Sequence, residues 1–160
     1  MSEQEIHDIC EELFIKEYTI NTDGSIDVDG NVYISNLDLS KLPLKFNIVH
    51  GSFDCSYNNL TTLDGSPKVV GGFFSVSYNK LTSLIGGPVN VKYSYVCSNN
   101  ELVSLDGGPI IIGGLFRCNN NPLKSIDGFN GDYNRLSCNN RDNLIKKNKR
   151  KLKLKQLYEL

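Results

Sequence analysis

The chain has 160 residues, 39% of them hydrophobic and 22% charged, a balance that fits one folded domain and excludes a disordered or membrane-embedded class. No apolar run approaches the roughly 18–20 residues that span a bilayer, and the acidic start Met1–Asp8 lacks the basic-then-apolar layout of a secretory signal, so a cytoplasmic protein is expected. The net charge of -1 conceals a segregation: residues 1–29 hold nine acidic side chains against Lys16, and residues 141–160 hold eight basic ones against Asp142 and Glu159.

Taken in chain order, Ser2 and Glu5 read as a capping box, and Ile6, Ile9, Cys10 and Leu13 follow at helical spacing, which predicts an amphipathic helix over 3–17. Ile20, Ile26, Val28, Val32 and Ile34 then flank Asp23-Gly24 and Asp29-Gly30, a strand-and-hairpin pattern. Together, residues 1–29 are expected to form a helix-and-hairpin cap over a repeat array that begins at Gly30.

From Gly30 to about Gly128 the sequence repeats every 21 residues without gaps. Val32, Phe53, Phe74, Tyr95 and Phe116 share one column, and two places on stand Ile34, Cys55, Val76, Cys97 and Cys118. Leu39, Leu60, Leu81, Leu102 and Leu123 align, as do Leu42, Leu63, Leu84, Leu105 and Ile126. Further columns hold Asn58, Asn79, Asn100 and Asn121; Gly65, Gly86, Gly107 and Gly128; and Pro67, Pro88 and Pro109. This is the leucine-rich-repeat pattern, with an aromatic and a cysteine in two leucine places. Each coil needs one short strand, such as 52–56, with Phe53 and Cys55 inward and Ser52, Asp54 and Ser56 outward.

Stacked coils predict a right-handed solenoid, conventionally classed α/β but mostly β. Its parallel sheet of short strands has a spacing of about 4.8 Å, so that six coils span roughly 30 Å. The Gly- and Pro-rich half of each coil forms turns and extended segments, leaving the convex side poor in helix. The asparagines are expected to satisfy backbone groups left unpaired at each turn. Repeats run over 30–140, with a last irregular coil at Cys138–Asn140. Residues 141–160 form a basic helix or tail carrying Leu144, Ile145, Leu154, Leu157 and Tyr158. The whole is one domain.

Segments such as Phe53-Asp54-Cys55-Ser56-Tyr57-Asn58-Asn59-Leu60-Thr61-Thr62-Leu63-Asp64-Gly65 resemble the short leucine-rich repeats of proteins from large tailed bacteriophages and some bacteria. The lead-in 18–30, running into Leu37-Asp38-Leu39-Ser40-Lys41-Leu42-Pro43, is similar to the N-terminal cap of such proteins. The resemblance covers roughly residues 1–140 and leaves the basic tail outside. It implies a leucine-rich-repeat fold and a viral origin, and it carries over no catalytic residue.

The residues themselves offer no constellation for catalysis. Three of the five cysteines alternate with Val76 in one inward column, which reads as small buried hydrophobes, and no C-x-x-C spacing suggests zinc. His7 and His50 have no nucleophile at a telling spacing. Asp23, Asp27 and Asp29 do not match a calcium loop, and hairpin turns account for them. No cofactor or metal is expected, and the protein is expected not to be an enzyme.

Binding is expected on the exposed strand face, which by alternation carries Tyr33, Asp54, Phe73, Ser75, Val96, Leu115 and Arg117, with Tyr57 and Tyr78 just past the strands. A protein partner follows from that surface, and the phage resemblance implies a host protein bound in the host cytoplasm. The alternative is a nucleic-acid-associated accessory protein, because the tail's Lys146, Lys147, Lys149, Arg150, Lys151 and Lys153 form a basic cluster that neutralises phosphates. Docking of this tail on an acidic protein surface, including the cap of another copy, is a further reading.

Overall fold

The computed structural model describes residues 1–158, the last by its backbone only. Glu159, Leu160 and the Tyr158 side chain, all assigned to the C-terminal tail, lie outside the described residues. Helix α1 (Glu3–Glu12) precedes a hairpin of β1 (Tyr18–Ile20) and β2 (Ile26–Val28). The coils then contribute β3 (Val32–Tyr33), β4 (Phe46–Val49), β5 (Phe53–Asp54), β6 (Val69–Val70), β7 (Phe74–Ser75), β8 (Asn90–Val91), β9 (Tyr95–Val96), β10 (Ile111–Ile112) and β11 (Phe116–Arg117). A 3-10 turn (Tyr133–Arg135) leads into β12 (Leu136–Ser137), and α2 (Arg141–Tyr158) closes the chain.

These strands stack into a parallel β-solenoid, as the repeat requires, with α-helix only at the two ends among the described residues. One sheet runs β3-β5-β7-β9-β11-β12 and the other β1-β2-β4-β6-β8-β10. Register follows the 21-residue period: Val32 pairs with Phe53, Phe53 with Phe74, Phe74 with Tyr95 and Tyr95 with Phe116. The second sheet goes beyond the sequence expectation of turns and extended segments. Short segments rich in β-branched residues, Val69-Val70, Asn90-Val91 and Ile111-Ile112, follow the Pro-bearing turns, and their backbones find the matching segment of the next coil at bonding distance.

The inward columns meet between the sheets. Phe53, Phe74, Tyr95 and Phe116 are fully or almost fully buried. Their rings form a continuous spine, with centroids 5.7, 4.9 and 5.1 Å apart. Phe46 closes the spine at one end, edge-on to Phe53 at 5.0 Å, and Phe129 at the other, 5.4 Å from Phe116. The cysteine column is buried, and all five cysteines are free thiols. Burial pushes the Cys55 and Cys97 thiols well above their ordinary range, so they remain protonated and inert.

Each coil is tied to its neighbours by its asparagine. Asn100 Oδ1 accepts from Leu81 N at 3.0 Å, while Nδ2 donates to the carbonyls of Val76 and Cys97 at 2.9 and 3.2 Å. Asn58, Asn79 and Asn121 repeat the arrangement. The glycine column supplies the opposite corner. Gly107 has φ +82°, and a Cβ there would collide with the Ile85 backbone of the preceding coil, so both conformation and space demand glycine.

At the N-terminal end the Ser2–Glu5 capping box forms, and Ile6 and Cys10 are buried. The helix stops at Glu12 rather than continuing to residue 17. Phe14 adopts a left-handed conformation, φ +55°, with Phe14 N donating to Glu11 O and Ile15 N to Cys10 O. That is a Schellman closure, which terminates the helix and turns Ile15 into the core. At the other end α2 buries Leu144 and Ile145 against the last coil, and Lys151 Nζ lies 2.7 Å from Asp127 Oδ2.

Candidate functional site: an aromatic strip along the turns

After each strand of the first sheet the chain makes a left-handed turn residue. The positions are Asn36, Tyr57, Tyr78, Asn99, Asn120 and Asn140, all with φ between +54° and +58°. Asparagine enters this region at little cost, whereas a tyrosine there is strained by roughly 1–3 kcal/mol. Two successive coils nevertheless place tyrosine in it. Their rings stack, centroids 4.3 Å apart and 9° from parallel, and remain 56% and 47% exposed. Desolvation, the Tyr78 hydroxyl and the Asp54 carboxylate together push the Tyr57 phenol above its ordinary range.

The strip continues toward the N-terminal cap. Leu37 N donates to Asn58 Oδ1 beside Tyr57, at 3.0 Å. Leu37 also shares a shallow pocket with Glu12, Leu13, Phe14, Tyr33 and Leu39. Phe14 is 84% exposed, and it too sits in left-handed backbone, where a helix normally ends on glycine. Phe14, Tyr33, Leu37, Tyr57 and Tyr78 therefore line one margin of the solenoid's N-terminal half.

The other strand-face residues are placed differently. Asp54, Ser75, Val96 and Arg117 occupy the column that begins at Tyr33, and this column is mostly polar. Phe73 and Leu115 occupy a column in which Ser52 and Ser94 alternate with them. Phe73 N donates to Ser52 Oγ and Leu115 N to Ser94 Oγ, both at 3.2 Å. The fold brings Tyr33, Tyr57 and Tyr78 to one margin and keeps Phe73, Val96 and Leu115 apart, separated by serines. Phe14 and Leu37, which the alternation of the strands does not single out, belong to the strip. The signal in the sequence is the column of Asn36, Tyr57, Tyr78, Asn99 and Asn120, where two rings interrupt a run of asparagines.

Basic residues of α2 divide into two sets. Lys147 donates to the Lys124 carbonyl, Lys149 lies 5.9 Å from the Tyr133 ring and Lys151 pairs with Asp127. Lys146, Arg150 and Lys153 are exposed and make no ion pair among the described residues. From Lys151 to Leu157 every side chain is exposed, and Lys151 still reaches back to Asp127 of the solenoid.

Acidic residues of the hairpin have local partners. Asp23 bonds Lys45 and Ser25, holding its carboxyl well below the usual range, and Asp27 accepts from Asn47 and Ile48 N. Among the described residues no three His, Cys, Asp or Glu side chains converge as metal ligands would, and no helix is long and apolar enough to cross a membrane.

Fold and surface together define a parallel-strand repeat solenoid with an exposed aromatic margin. Compared with known proteins, the chain matches no family model, no curated protein and no solved structure.

Proposed function

We propose that the chain is a non-enzymatic protein-binding module of the leucine-rich-repeat kind, and that the aromatic strip holds its partner. The observation that carries this reading is a conformational one. Phe14, Tyr57 and Tyr78 are exposed aromatics in left-handed backbone, where glycine or asparagine costs less and solubility would favour it. Strain kept at an exposed position is a mark of contact surfaces, and tyrosine supplies large, rigid interface area with few rotatable bonds. The resemblance to short phage repeats extends the proposal to a phage protein that binds a host protein in the host cytoplasm.

Stability and binding can be tested apart. Tyr57→Asn with Tyr78→Asn relieves two strained positions and loses one stacked pair worth about 0.5–1.5 kcal/mol, so its melting stability equals or exceeds that of wild type. Phe14→Gly raises stability by about 1 kcal/mol. All three together abolish capture of the partner from host lysate, while Phe73→Asp with Leu115→Asp leaves it weakened at most. Equal capture by the folded triple variant would sink the reading.

A second reading rests on α2, whose exposed Lys146, Arg150 and Lys153 make no ion pair among the described residues. A helix this densely basic repels itself, and a polyanion relieves that repulsion. Under this alternative, the protein is a nucleic-acid-associated accessory. Lys146→Gln, Lys149→Gln, Arg150→Gln and Lys153→Gln preserve the packed Leu144, Ile145 and Lys151 contacts. Salt-sensitive retention on duplex DNA that vanishes in this variant favours the second reading, and no retention by wild type at low salt removes it.

A further inference from the structure

The strip lies in the acidic half of the molecule. Residues 1–64 carry twelve acidic side chains against three basic ones, and residues 65–160 carry six against fourteen. Carboxylates border the rings themselves. Glu12 lines the pocket that holds Phe14, Tyr33 and Leu37, exposed Asp38 follows Leu37, and Asp54 is close enough to perturb Tyr57. Among the described residues none of the three makes an ion pair. Among the described residues Asp54 accepts from Ser56 N and Oγ alone, at 2.9 and 2.6 Å, and neither donor carries a charge to compensate its own.

Ring faces beside unpaired carboxylates suit one kind of side chain. A guanidinium stacks flat on a tyrosine and offers its remaining N–H groups to a carboxylate as a fork, which an ammonium does less well. The stacked tyrosines cover each other on one side only, and their column continues into Asn36 and Asn99, which carry no ring. The strip is linear and crosses three coils, roughly 10–15 Å, a span that four or five extended residues cover.

We propose that the partner meets this strip with a basic, arginine-bearing, extended segment. The proposal rests on the protein-binding reading of the same strip and adds the partner's chemistry. It commits to a foreign segment rather than to a second copy, since this chain's own basic residues at the C-terminal end are helical.

The test uses the whole protein and three labelled peptides of about ten residues, alternating serine with arginine, lysine or glutamate, read by fluorescence anisotropy. The arginine peptide binds about tenfold more tightly than the lysine peptide, and the glutamate peptide does not bind. Affinity for the arginine peptide falls about tenfold in Tyr57→Asn/Tyr78→Asn and again in Glu12→Gln/Asp38→Asn/Asp54→Asn, and it falls as salt is raised to about 0.5 M. Equal binding by wild type and the tyrosine variant, or no preference for arginine over glutamate, overturns the proposal. If lysate capture is lost in the tyrosine variant while the peptides show no such preference, the strip remains the binding surface and only the basic-partner inference fails. Salt-sensitive self-association in sedimentation, abolished by removing residues 151–160, also overturns it by making the chain's own helix the occupant.

Discussion

Asn100 shows how one side chain joins two coils. Its amide reaches a backbone N–H and several backbone carbonyls, including Val76 O in the coil before. Alanine there orphans buried backbone groups and costs about 1–3 kcal/mol. Tyr95 is its opposite. In a column otherwise filled by valine and phenylalanine, its hydroxyl is buried without a hydrogen-bond partner among the described residues, and burial holds the phenol well above its ordinary range. Tyr95→Phe keeps the ring in the spine and removes the unsatisfied group, so it stabilises by about 1 kcal/mol. Chemical denaturation of the two variants checks both signs, and a loss in Tyr95→Phe matching that of Asn100→Ala would mean that the hydroxyl contributes to stability after all.

At the scale of elements, the two caps are secured by different means. α1 is fixed by burial of Ile6 and Cys10 and by its capped ends, whereas α2 adds to Leu144 and Ile145 a carboxylate contact from Asp127. The Lys151 ammonium holds the Asp127 carboxyl below the usual range, with Ser125 assisting. A carboxyl depressed in the folded state stabilises above its unfolded pKa of about 3.9 and loses that contribution as pH falls through the folded value. Hydrogen-exchange protection of the α2 amides should therefore hold from neutral pH to about pH 4 and decline below it. Asp127→Asn should remove that step while leaving α1 unaffected. The second sheet ends in β10, whose Ile111 is 58% exposed, with Ile110 just before it 66% exposed. Its edge is partly closed by Arg135, whose Nη1 donates to Gly113 O at 2.6 Å, one way of blunting an open strand.

Over the whole molecule, the columns of Phe, Cys, Leu, Asn and Gly were legible because one period relates them, and the burial of the aromatic and cysteine columns and of most of the leucines and asparagines follows directly. Two features were not. The second sheet was hidden because pairs such as Asn90-Val91 are too short to show alternation, and only stacking reveals their ladder. The binding margin was half visible. Tyr57 and Tyr78 could be placed beyond the strands, but their strained backbone, and the turn that exposes Phe14, depend on φ angles that a ring does not announce in sequence. The charge segregation was legible as composition, and the fold turns it into geometry by setting the acidic cap and the basic helix at opposite ends of the stack.

The asparagine ladder also sets the unit in which this protein can be lengthened or shortened. Its ties run from one coil to the next and none skips a coil. Cutting out residues 72–92 would therefore join Gly71 to Tyr93, which stands in the same column as Gly72, and leave all columns intact. Such an excision should yield a cooperative, shorter protein, about 4.8 Å less along its axis, detectable by circular dichroism and scattering. Removing half that length would misalign every column and leave no folded state. Natural variation in length should then come in whole coils. Because Tyr78 leaves with the excised coil while Tyr57 stays, a change of one coil would alter the contact surface without disturbing the scaffold, making reach and recognition separately adjustable.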